Sequence, residues 1–90
     1  MNGILSEKDT KAVLDILAEK LGVQQAELTP DARFEEDLGA DSLTIIEINM
    51  AIEEHFNLSI SDEKLETVRT VQELFEALAD LLGKPERRFG

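Results

Sequence analysis

Cysteine is absent from these 90 residues, and so are tryptophan and tyrosine. Without cysteine the chain has no disulfide, no thiolate metal site and no thiol nucleophile. A single histidine, His55, leaves no second imidazole or thiolate to complete a zinc or copper site. Long apolar runs are missing too. No stretch approaches the roughly 20 residues needed to cross a bilayer, and the start lacks the basic-then-apolar order of a secretory signal. The expected location is the cytoplasm or an equivalent soluble compartment. Positive charge is scarce, with 9 Lys and Arg against 20 Asp and Glu and a formal net charge of -11. At this length the chain is one small domain with little surplus stability and no covalent staple.

The negative charge is unevenly spread. Residues 31–66 hold eleven acids against only Arg33 and Lys64, a net -9 in that stretch. Such a field repels nucleic acid and anionic membranes and speeds encounter with proteins that display basic patches. Near its middle lies one serine, Ser42, in the run Leu38-Gly39-Ala40-Asp41-Ser42-Leu43.

Periodicity predicts a helical protein with no convincing strand. Ser6-Glu7-Lys8-Asp9 resembles a capping box, and Val13, Ile16, Leu17 and Leu21 recur at helical spacing, predicting a first helix over residues 7–21, closed by Gly22. A long connection, 23–41, contains Thr29-Pro30 and Gly39 as breakers and Leu28, Phe34 and Leu38 as anchors. Connections of that length are uncommon in compact domains unless pinned and functional. Asp41 is a good N-cap for a second helix from Ser42 to about Phe56-Asn57. A short helical turn is predicted around residues 62–66. Thr70-Val71-Gln72-Glu73 is a capping box for a last helix carrying Leu74, Phe75, Leu78, Leu81 and Leu82 to Gly83, with Pro85 beyond. The polar segment 84–90 reads as a frayed, flexible tail.

Projected at about 100° per residue, the second helix places Ile45, Ile48, Ile52 and Phe56 on one stripe, the expected core face. Leu43, Ile46 and Met50 fall roughly 100 to 160° away, among Glu47, Glu53 and Glu54. An apolar patch rimmed by acids beside an accessible serine fits a protein-docking surface; a helix buried on two sides is the competing reading for Leu43 and Ile46. Ser42 has no base to activate it: His55 lies thirteen residues along the same helix, about 20 Å away at 1.5 Å per residue, which excludes an esterase dyad. A calcium loop counted from Asp31 fails, because Arg33, Glu36 and Ser42 occupy positions that need an oxygen ligand, a glycine and a closing glutamate. A serine on which other proteins act, and an unmodified acidic helical interaction adaptor, both remain.

The chain resembles the acyl carrier protein family along nearly its whole length. The resemblance is carried by Leu21-Gly22-Val23, by Phe34-Glu35-Glu36-Asp37-Leu38-Gly39-Ala40-Asp41-Ser42-Leu43, by Glu47, by Met50-Ala51-Ile52-Glu53-Glu54 with Phe56, by Ile60 with Asp62-Glu63, and by Thr70-Val71. Asp-Ser-Leu alone would be a weak signal; its flanks at the right separations make the match specific.

The resemblance implies an all-α four-helix bundle with a short third helix and a long first loop, forming a carrier domain over residues 1–83. It implies that Ser42 receives 4'-phosphopantetheine from coenzyme A through a separate Mg-dependent phosphopantetheinyl transferase. The thiol of that arm would carry acyl groups as thioesters in fatty acid, polyketide or related lipid biosynthesis, so the protein would be a carrier and not itself an enzyme. The missing cysteine then makes sense, since the working thiol arrives with the arm. Asp41, Leu43, Ile46, Glu47, Met50, Glu53 and Glu54 are the expected partner surface, meeting basic and apolar patches on the transferase and on acyl-transferring, condensing or ligase enzymes. No metal ligand is implied, and a monomer is expected. The arm's phosphodiester would lie near free backbone amides at the positive end of the helix dipole, an attraction that Asp41 opposes. Three positions depart from the family pattern: Thr44 where an acid is frequent, Asn49 where an aliphatic residue is frequent, and His55 where an acid is common. They favour a specialised carrier as much as a housekeeping one. The Gly-Ala-Asp-Ser form favours acyl or polyketide carriers over peptidyl ones.

Overall fold

A computed structural model describes residues 5–87, with side chains for residues 5–82. It contains four α-helices: α1 (Glu7–Leu21), α2 (Ser42–Phe56), α3 (Asp62–Glu66) and α4 (Val71–Arg87), with a 3₁₀ turn at Gln25–Glu27 after α1. Among the described residues the only β-type pairing is an isolated bridge between Arg33 and Thr70. The fold is the expected all-α bundle, and among the described residues no helix is long and apolar enough to cross a membrane.

Local chemistry sets the helix ends. Ser6 Oγ accepts from the Asp9 amide at 3.0 Å, Ser61 Oγ from the Lys64 amide at 3.1 Å, and Thr70 Oγ1 from the Glu73 amide at 3.1 Å, each satisfying one orphan donor of a first turn. Glu73 Oε1 completes the box at α4 by accepting from the Arg69 amide at 2.7 Å and the Thr70 amide at 3.3 Å. Gly22 ends α1 with φ 70°, and Asn57 ends α2 with φ 57°, the left-handed geometry that returns orphan carbonyls to the chain. The last helix does not stop at Gly83. It runs through Pro85 to Arg87; proline this close to a helix end removes one intrahelical hydrogen bond without ending the helix.

The core is formed by Val13 and Leu17 of α1, Ile48 and Ile52 of α2, Val71, Leu74 and Leu78 of α4, and residues of the long connection. Leu28, Ala32, Phe34, Leu38 and Ala40 are all buried, so the connection is pinned by the three anchors expected of it and by two alanines, while Ile60 adds a buried residue from the α2–α3 link. Its backbone is also stitched to the start of α4. Phe34 N–H donates to the Arg69 carbonyl at 3.0 Å, Val71 N–H to Ala32 at 3.0 Å, and Gln72 N–H to Pro30 at 2.8 Å. The connection therefore behaves as a fixed wall that delivers the chain to the head of α2.

Candidate functional site

The approach to Ser42 is built from turns. Asp37 N–H and Leu38 N–H both donate to the Arg33 carbonyl, at 2.9 and 3.0 Å, and Ala40 N–H donates to Phe34 at 2.8 Å. Gly39 adopts φ 73°, a conformation that costs glycine nothing and would strain most other residues. Asp37 Oδ2 accepts from the Arg33 amide at 2.8 Å and from its Nε at 3.2 Å, while Glu36 lies 3.3 Å from the same guanidinium. The Arg33 amide, and then its guanidinium, hold the Asp37 carboxyl below its ordinary value. The hydrogen bond to Asp37, with the charges of Asp37 and Glu36, raises Arg33 in turn.

Asp41 is the N-cap of α2, as expected. Its Oδ1 accepts from the Thr44 amide and from the Thr44 hydroxyl, both at 2.9 Å. The amide bond first, then the hydroxyl, lower the Asp41 carboxyl from its ordinary range. The amides at this helix head are therefore not all free for an anionic arm: Thr44 has given its N–H to Asp41, because a carboxylate at the N-cap reaches the amide three residues on. Thr44, a departure from the family pattern, reinforces the same carboxylate.

Ser42 is the first residue of α2 and is exposed. It sits at the edge of a groove of about 450 Å³ whose apolar walls are Phe34, Ile45, Ile46, Leu65 and Val68, with Arg33 and Arg69 among its polar lining. Glu35, Glu36, Asp62 and Glu66 line the same groove, and Arg33 is already paired with Glu36 and Asp37, so the cleft sets a partly apolar wall beside an exposed hydroxyl without a net positive field. His55 is far from it: its Nε2 lies 3.8 Å from Asp9 Oδ1, and its ring meets Phe56 edge-on at 4.7 Å.

The outer face of α2 continues from the serine. Leu43 is 64% exposed, Ile46 49% and Met50 61%, which removes the reading of a helix buried on two sides. Glu47 and Glu54 are exposed beside them. Glu53 differs. It is half-buried, and its Oε2 accepts from the Ile60 amide at 2.7 Å, so it fastens the α2–α3 connection and is not displayed like its neighbours. The sequence reading missed Arg33 and Arg69 as groove residues. Arg33 carried a signal in its i,i+3 and i,i+4 spacing to Glu36 and Asp37; Arg69 carried none.

The family model for the phosphopantetheine attachment site matches residues 11–82. An acyl carrier protein of Syntrophobacter fumaroxidans is 48% identical over 67 residues, which cover 74% of this chain and 83% of that protein. With a helical bundle that presents an exposed serine at the head of an acidic, partly apolar helix, this extent of match shows that the chain belongs to the acyl carrier protein family.

Proposed function

We propose that Ser42 is the attachment point of a 4'-phosphopantetheine arm, and that the protein carries acyl groups on it as thioesters, in the cytoplasm, for fatty acid, polyketide or related lipid biosynthesis. The observation that carries this reading is an exposed Ser42 on the first turn of α2, beside a groove with partly apolar walls, with the chain's one histidine turned toward Asp9. When bound, the group supplies the thiol that this chain lacks. The chain's own residues orient and advertise it: Asp41 and Gly39 fix the serine at the helix head, and Phe34, Ile45 and Leu65 offer the arm an apolar wall.

Leu43, Ile46 and Met50, rimmed by Glu47 and Glu54, form the surface read by a phosphopantetheinyl transferase and by acyl-handling enzymes with basic, partly apolar docking faces. Apolar groups supply the contact energy and the acids supply steering and register. Asp41 and Glu53 belong to this surface with a smaller share, because each already spends its carboxylate on a backbone amide.

Intact-mass measurement after incubation with coenzyme A and a broad-range transferase tests the reading. The expected result is one added phosphopantetheinyl group in the parent protein and none in Ser42→Ala. An unmodified parent protein would leave the acidic adaptor as the better description, and a Ser42→Ala protein that still gains the mass would move the site elsewhere.

A further inference from the structure

Against the groove beside Ser42 lies a second, smaller and partly open void of about 20 Å³. The two spaces share Phe34, Ile45, Leu65 and Val68 as a common wall. Ile48, Ile52, Leu74 and Asn49 complete its lining, so Asn49 is the one polar side chain among hydrocarbon ones. Its Oδ1 is buried and has no hydrogen-bond partner among the described residues. A buried carbonyl left unpaired carries the full desolvation cost of the group. A water is a poor remedy: the void has room for about one, but a buried water needs about three polar partners and this lining offers little besides Asn49.

We infer that Asn49 is a cargo-selecting residue: its side-chain oxygen accepts a hydrogen bond from a hydroxyl on the tethered acyl chain, so this carrier favours hydroxylated over saturated chains. The inference rests on the arm being carried by Ser42. Asn49 lies seven residues further along the same helix, about 10 Å down its axis. A chain that enters from the groove through the shared wall thus reaches the void where the orphaned oxygen lies. Two of the four wall residues, Leu65 and Val68, stand on the five-residue α3 and the turn after it, the short part of the bundle and the one best able to give way. A saturated chain in that space would leave the carbonyl unpaired, whereas a hydroxyl would satisfy it and itself.

The test loads the protein, through a transferase and the corresponding acyl-coenzyme A, with octanoyl, 3-hydroxyoctanoyl or 7-hydroxyoctanoyl groups, and records loading by mass and Tm by circular dichroism. At least one hydroxylated form is expected to melt about 4–8 °C above the octanoyl form, the shift of one satisfied hydrogen bond in a domain of this size. That form should also shift the side-chain amide resonances of Asn49. In Asn49→Val the advantage of the hydroxylated chain should vanish or reverse, while the unloaded variant melts above the parent because the orphan is gone. Equal melting of saturated and hydroxylated forms in the parent, or an advantage undiminished in Asn49→Val, would overturn the inference. A protein that takes no arm at all fails at the mass step, and rejects the Ser42 reading together with the cargo role built on it.

Discussion

Two faces of α2 carry the same kind of side chain under opposite conditions. On the inner face Ile48 and Ile52 are 4% and 0% exposed, while on the outer face Leu43 and Met50 keep 64% and 61% of their surface in water. Burying such side chains is the main source of folding free energy, about 25 cal/mol per Å² removed from water, and the outer residues forgo most of it. Scattered exposed apolar residues need no explanation. Three within eight residues, following an exposed serine and rimmed by acids, form the patch proposed above as a docking face. The inner face builds the bundle, and the outer face is available for recognition.

The strongest way to break this comparison is to truncate one residue on each side. Ile52→Ala should cost about 2–5 kcal/mol of unfolding free energy, because a fully buried branched side chain leaves a cavity behind. Met50→Ala should stay within about 0.5 kcal/mol. Urea unfolding followed by circular dichroism is the suitable probe, since the chain has no Trp or Tyr to report by fluorescence. Similar costs for the two variants would mean that the faces are not energetically distinct.

Two adjacent acids divide in the same way. Glu53→Ala leaves the partly buried Ile60 amide without its acceptor, and should cost about 1.5–3 kcal/mol, the range for a hydrogen bond to a charged group. Glu54→Ala, at an exposed position, should change stability by less than about 0.5 kcal/mol while slowing association with a basic partner, more so at low salt. Matching stabilities of the two variants would place Glu53 back among the displayed acids.

Next in size is the effect of Leu43→Ala and Ile46→Ala on recognition. Each should lower kcat/KM for the transferase about tenfold, equivalent to about 1.4 kcal/mol of lost contact, and leave the unfolding midpoint nearly unchanged. A loss of stability without a loss of kcat/KM would assign these residues to the fold.

Much of this division was legible in the sequence because it is local. Capping residues act over three positions, so Ser6, Asp41 and Thr70 announced the starts of α1, α2 and α4, and helical rotation separated Ile48 and Ile52 from Leu43 and Met50. Rotation could not say whether α2 was covered on its second side; that depends on where the other helices lie. The pairing of Phe34 with Arg69, and of Ala32 with Val71, was illegible for a different reason. Those bonds join backbone groups more than thirty residues apart, and backbone carries no residue identity. Glu53 read as one more acid in an acidic run, because its partner is the amide of Ile60, beyond the helix. Asn49 was visible as a departure from the family pattern, but only the packed interior shows that its oxygen is stranded.

The smallest expected effect lies at the head of α2, where Thr44 and Asp41 set up the serine. The Asp41 carboxyl is lowered first by the Thr44 amide and then by the Thr44 hydroxyl. Thr44→Val removes the second contribution and keeps the first. A carboxyl whose folded value lies below its unfolded value contributes stability that is present above the unfolded value and is lost as pH falls through the folded one. Thr44→Val should therefore move the Asp41 titration part of the way back up toward an ordinary carboxylate, so that the cap is lost at a higher pH on acidification. Asp37 provides an internal control. Its value is lowered by the amide and guanidinium of Arg33, groups that the substitution does not touch, so its titration should stay where it is. Carboxyl-carbon NMR titration of both residues resolves the outcomes. A stationary Asp41 would show that the hydroxyl adds nothing to the cap, and a common shift of Asp41 and Asp37 would show that the whole acidic surface has moved rather than one bond at the helix head.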